Sequence, residues 1–114
     1  MNAVVATSLM LSLLLAAAPT AAQEESLTHD QAERRARACL TAGSAGAPRS
    51  SLADAVVALR TLCTPQINRL RDIRVAEATA GLAPADAEAA ERRILRELND
   101  EIVLAVANFT GLSH

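Results

Sequence analysis

The feature that most constrains this chain is its first 22 residues, which carry no charge, whereas every Arg, Asp and Glu lies after them. Positions 9–18 are almost wholly Leu, Met and Ala, and Pro19, Thr20, Ala21 and Ala22 follow, ahead of Gln23. An apolar run ended by a helix breaker and small residues is the h-region and cleavage pattern of a secretory signal. Residues 1–22 are therefore read as a signal peptide and residues 23–114 as a single helical domain. One part of the pattern is missing, because no Lys or Arg precedes the apolar run. A start codon upstream of Met1 would account for this. The alternative is an uncleaved anchor, since a helix of this length just crosses a hydrocarbon core of roughly 30 Å. Membrane attachment is expected only in that second case. Cys39 lies too far past the cleavage site to be a lipoprotein cysteine.

Export bears directly on the fold. A small domain buries little apolar surface relative to the chain entropy it loses, so a covalent staple is expected. Cys39 and Cys63 are the only cysteines, and in an oxidising compartment an isolated pair is most simply a disulfide. Closing that loop stabilises the fold by roughly 3.5 kcal/mol in the chain-entropy picture. A redox or metal role lacks support, because there is no Cys-x-x-Cys and no thioredoxin-like strand pattern.

Apolar periodicity is helical throughout. Thr28 and Gln31 form a capping-box pair with Leu27 ahead of them as a hydrophobic staple, and Ala32, Ala36, Cys39 and Leu40 make a thin apolar stripe. Asp30–Arg34 and Glu33–Arg37 have the spacing and orientation of helix-stabilising pairs. Gly43 ends this first helix, and 44–50 is a loop rich in Gly, Ala, Pro and Ser. Ser51 and Asp54 cap a second helix whose buried face is Leu52, Val56, Leu59, Leu62 and Cys63. Thr64 and Pro65 predict a kink or short break, with Thr64 as a possible new cap. The helix then continues through Ile67, Leu70, Ile73 and Ala76 until Gly81 closes it. Pro84 opens a third helix with Asp86 and Glu88 in its first turn, where carboxylates complement the helix dipole. Its core face is Ile94, Leu98, Ile102, Ala105 and Phe109, with Glu88–Arg92 and Arg96–Asp100 pairs outside; it runs to about Asn108, and Gly111 stops it. The β-branched stretch 102–106 has strand character, but its continuity with the preceding pattern favours helix.

The disulfide and these helices are in tension. Cys39 stands about 5 Å before the end of the first helix and Cys63 about 18 Å into the second, at 1.5 Å per residue. In a tight antiparallel hairpin they miss each other by roughly 12 Å, whereas bridged Cα atoms need to lie within about 7 Å. The loop 44–50 must double back along the helices, or the helices must cross steeply.

Composition excludes several function classes. The formal net charge of −2 leaves no broad basic field for nucleic acid, and Phe109 is the only aromatic, so base-stacking platforms are absent. Arginine without lysine, with heavy alanine use, suggests a GC-rich bacterial gene, and so a periplasmic or secreted location. His29, in the first helical turn, is read as a solvated surface residue and His114 as a terminal one. No nucleophile elbow, phosphate-cradling glycine loop or metal-ligand spacing is present. No catalytic, cofactor-binding or metal residue is assigned, and no cofactor is expected; Cys39 and Cys63 are the only site residues.

Three arginine groups remain: Arg34, Arg35 and Arg37; Arg69, Arg71 and Arg74; Arg92, Arg93 and Arg96. Guanidinium forks converging from several helices bind carboxylates or phosphates bidentately; the plainer expectation is solvated faces paired with nearby acids. Val103 and Leu104 fall off the core face of the third helix, so its end is apolar nearly all round and is either buried centrally or offered to a protein partner or a second copy. Glu91 is placed beyond the core's edge. Asn108, Phe109 and Thr110 match a glycosylation acceptor, which a bacterial source would not use. The expected architecture is all-α, a three- to four-helix bundle with one intrachain disulfide behind a signal segment. The expected role is a non-enzymatic binding or interaction protein of the cell envelope or medium. The alternatives are a small enzyme or ligand-binding protein with an arginine-lined pocket and a membrane-tethered module.

Overall fold

The computed structural model describes residues 28–113, and the signal segment read at 1–22 and His114 lie outside them. Within that range the chain forms four helices and no strand: α1 (His29–Ser44), α2 (Leu52–Leu62), α3 (Thr64–Thr79) and α4 (Pro84–Thr110). The stretch 102–106, with its β-branched residues, is helical.

Each start and stop has a local cause. At Thr28 both halves of the capping box form: the Gln31 amide donates to the Thr28 hydroxyl oxygen (3.2 Å), and the Thr28 amide donates to the Gln31 side-chain oxygen (3.1 Å). Ser51 caps α2 by accepting from the Asp54 amide at 3.0 Å. Gly81 and Gly111 take positive φ of 72° and 73° just past α3 and α4, the backbone that glycine adopts without steric cost. α4 runs through Thr110, two residues past Asn108, and Gly111 stops it as expected, its amide donating to the Ala107 carbonyl.

Two expected terminators act differently. Gly43 does not end α1; it lies inside the helix, with ordinary negative φ, where α1 and α2 approach closely. A Cβ there would stand 2.6 Å from Leu59 and 2.7 Å from Leu62. Thr64 does not cap α3, because its hydroxyl donates backwards to the carbonyls of Arg60 (2.7 Å) and Thr61 (3.0 Å). The break falls at Cys63, which is the last cap of α2 and the first of α3 (φ −101°, ψ 17°). Pro65 tolerates this position because the first turn of a helix needs no amide donor from it. The bundle is thus three rods, of which the middle one is interrupted at a buried cysteine, giving four helices.

The core is aliphatic and thin. Ala32, Ala36 and Leu40 point inward from α1; Leu52, Ala55, Leu59 and Cys63 from α2 and its end; Ile67 and Leu70 from α3. On α4 the buried residues Leu98, Ile102, Val106 and Thr110 step by four. Such a row is inclined to the helix axis, so the contact surface rotates along the helix. That rotation makes Val106 fully buried (0% exposed) and leaves Ala105 and Phe109, both expected in the core, half-buried. Leu62 also departs from expectation, at 61% exposed. It leans over Gly43, which has no side chain to cover it.

Cys39 and Cys63 are bridged, with Cα atoms 5.9 Å apart. The register explains how. Cys39 faces Cys63 and Gly43 faces Leu59 and Leu62, as an antiparallel pair requires, so the first turn and a half of α2 extends past the end of α1, about 9 Å at 1.5 Å per residue. The loop 45–51 turns at once, the Gly46 and Ala47 amides donating to the Gly43 and Ser44 carbonyls, and runs back along that overhang. Arg49 then donates to the Thr110 carbonyl at 3.2 Å, tying the loop to the end of α4. The doubling-back loop expected from the cysteine positions is present.

Candidate functional site

The small side chains of α1 shape the most distinctive surface. Ala36 on α1 and Ala105 on α4 cannot fill the space between three packed helices, and a cleft of about 270 Å³ remains. This lies just below the common size of ligand pockets, about 300–1,000 Å³. Its floor is Ala36, Leu40, Ile67, Leu70, Leu98 and Ile102, each less than a tenth exposed. Its rim is charged: Asp30, Glu33, Arg34 and Arg37 from α1, Arg74 from α3 and Glu101 from α4. Among the described residues the lining consists of aliphatic side chains, carboxylates and guanidiniums.

Arg74 organises one side of the rim. Its side chain is only 12% exposed, and its two terminal nitrogens donate to Glu33 on α1 and to Glu101 on α4 (2.7 Å). One guanidinium from α3 therefore clips the two flanking helices together. Burial works against the Arg74 cation, but the Glu101 and Glu33 carboxylates outweigh it and raise its pKa above the ordinary value. The same contact, led by the hydrogen bond from Arg74, holds the Glu33 carboxyl below the usual carboxylate range. The Arg74 Nε is enclosed and has no hydrogen-bond partner among the described residues.

His29 extends this network. Its Nδ1 lies 2.8 Å from a Glu77 carboxylate oxygen on α3, and its Nε2 lies 3.6 Å from Glu33. The hydrogen bond to Glu77, reinforced by the charges of Glu77 and Glu33, raises the His29 pKa above its ordinary value against the pull of burial and of Arg74. His29 lies at the surface, as expected, and there also ties the start of α1 to α3.

The other side of the rim is different. The pairs expected between Asp30 and Arg34 and between Glu33 and Arg37 do not form; Glu33 turns across the helix interface to Arg74. Arg34 and Arg37 are exposed, line the cleft one turn apart, and their guanidiniums carry no ion pair or hydrogen bond among the described residues. The three arginine clusters thus sort unequally. Arg34 and Arg37 from the first and Arg74 from the second share the cleft, whereas Arg35 and Arg69 lie outside its lining and Arg71 pairs with its neighbour Asp72 (3.1 Å). On α4, Arg92 pairs with Glu88 (3.2 Å) and Arg93 with Glu97 (3.6 Å), and the expected Arg96–Asp100 pair is not made.

Sequence reasoning placed Arg74 in a cluster but missed its buried role. The signal was present: Arg74 stands four residues after Leu70 and seven after Ile67, on the apolar stripe of α3. Glu101 and Glu33 gave no such signal, since each merely flanks a stripe.

Elsewhere, the apolar end of α4 divides: Val103 and Ala107 are half-buried against the core, while Leu104 is 63% exposed. Glu91 is exposed, beyond the core's edge as expected. In the glycosylation-like triplet Thr110 is buried and its hydroxyl donates to the Val106 carbonyl, so the motif lies within a packed helix end. Among the described residues no group of His, Cys, Asp and Glu is placed to hold a metal ion, and no helix is long and apolar enough to cross a membrane. The chain matches no protein-family model, no curated protein and no solved structure, so the chemistry of the cleft carries the functional argument alone.

Proposed function

We propose that the protein is exported and acts as a non-enzymatic binding protein, with the cleft between α1, α3 and α4 as its binding site. The observation that carries this reading is the lining: an apolar floor shared by three helices under a charged rim, with no hydroxyl, thiol or imidazole along it among the described residues. A concave apolar surface with a few convergent polar groups is the usual form of a small-molecule site. Export is supported by the uncharged leading segment and by the Cys39–Cys63 bridge, a type of link that persists in oxidising compartments.

Two measurements test the reading. Intact mass of the protein recovered from periplasm or medium should lack residues 1–22 and two hydrogens. A full-length reduced chain in the cytoplasm would overturn the export half. Titration with the uncharged fluorophore N-phenyl-1-naphthylamine should give saturable binding and shift the methyl resonances of Ile67, Leu70, Leu98 and Ile102. No binding, or shifts confined to other residues, would overturn the binding half.

A second reading, a protein partner or second copy on the end of α4, is favoured by the exposure of Leu104. Light scattering after size exclusion tests the second-copy form: Leu104→Glu should abolish a dimer, and a strict monomer at high concentration removes it.

A further inference from the structure

We propose that the cleft binds an anionic amphiphile of medium chain length, its carboxylate head held between Arg34 and Arg37 and its apolar tail laid over Leu40, Ile67, Leu98 and Ile102. This rests on the reading of the cleft as a binding site and adds the class of ligand.

The argument is one of charge complementarity. Six charged residues ring the cleft. Glu33, Glu101 and Arg74 are committed to one another, and Glu33 faces His29 as well. Three groups of the rim have no side-chain partner among the described residues: Asp30, Arg34 and Arg37. Their sum is one positive charge, and it is carried by guanidiniums whose N–H groups donate to none of the described residues. Residues three apart on a helix are neighbours on one face, so both forks reach a single head group. A carboxylate accepts from such forks bidentately, which a hydroxyl or an ammonium group does not do. A cationic amphiphile would meet only Asp30 as an uncommitted partner, with two arginines beside it.

Position and size complete the case. Arg34 and Arg37 sit on the same helix as Ala36 and Leu40, so the head-binding groups and the apolar floor are continuous across the rim. The cleft volume of about 270 Å³ suits one medium-length chain and not a two-chain lipid. Both arginines are exposed, so head recognition is expected to weaken with added salt, as screening requires.

The test compares decanoate, decanol and decylammonium by isothermal titration with the full chain, each below its aggregation limit. Decanoate should bind about tenfold more tightly than decanol, with decylammonium weakest. Arg34→Gln/Arg37→Gln should reduce the decanoate preference over decanol to within about twofold, with the helical circular-dichroism spectrum retained. High salt should weaken decanoate alone. Equal affinity for decanoate and decanol, tighter binding of decylammonium, or an unchanged preference in the double variant would overturn this inference and leave the binding-site reading intact. Failure of all three compounds and of the neutral fluorophore would overturn both.

Discussion

Replacing Cys39 and Cys63 together by alanine removes the covalent tie between α1 and the corner where α2 meets α3. The cysteines are 24 residues apart, and a loop of that length restricts the unfolded chain by roughly 3.5 kcal/mol. Cys63 is fully buried, so losing its sulfur also leaves a small void, at about 1 kcal/mol for one missing heavy atom. Cys39 is only half-buried and adds less. The combined loss, about 4–5 kcal/mol, compares with a typical domain stability of about 5–15 kcal/mol. For a domain of this size each kcal/mol shifts Tm by about 4–8 °C, so the melting temperature should fall by at least about 16 °C. Equilibrium urea denaturation and thermal melts followed at 222 nm measure this on the oxidised protein and the double variant. The oxidised protein treated with reductant gives the tie alone, without the void. A loss below about 1 kcal/mol in both comparisons would refute the argument that this aliphatic core depends on its staple.

Other perturbations follow from the packing and the rim. Gly43→Ala should destabilise by about 1–2 kcal/mol, despite alanine's better helix propensity, because Leu59 is 1% exposed and cannot retreat from the new Cβ; a gain in urea midpoint would contradict the close approach of α1 and α2. Arg74→Met should cost about 1–2 kcal/mol, since Glu33 and Glu101 lose their shared partner but are 45% and 55% exposed and can hydrate. Arg74→Lys should recover little, because a single ammonium cannot span both carboxylates as the fork does; full recovery in a melt would argue against the two-sided clip. The pH dependence has two limbs. The raised His29 pKa contributes stability that is full below its unfolded value of 6.5 and is lost as pH climbs through the folded value. The depressed Glu33 pKa contributes stability present above 4.5 and lost as pH falls through its folded value. Urea midpoints should therefore peak between these limits, and His29→Gln should flatten the alkaline limb and, because His29 also helps to hold the Glu33 pKa down, soften the acid limb to a smaller extent.

Local signals were legible in the residues. Thr28 with Gln31, Ser51 with Asp54, Pro84, Gly81 and Gly111 announce helix ends because capping chemistry is short-range and set by neighbours in the chain. The apolar stripes of α1 and α3 and the pairing of the cysteines were readable for the same reason: spacing and composition are enough. Where the reading failed, the deciding partner lay elsewhere in the chain. Gly43 reads as a terminator until Leu59 and Leu62 are placed beside it. Leu62 reads as core until the position opposite it proves to be that glycine.

Over the described residues the primary structure determined an all-helical domain with one bridge, because helix periodicity, caps and an isolated pair of thiols act through the nearest few residues or through a single covalent bond. Tertiary packing decided the rest: which row of α4 is buried, which carboxylates Arg74 takes, and that Arg34 and Arg37 stand above an apolar cleft without a partner among the described residues. Those outcomes depend on how three rods rotate and lean against each other, and an arginine's partner is chosen by that geometry and not by the acid four residues away.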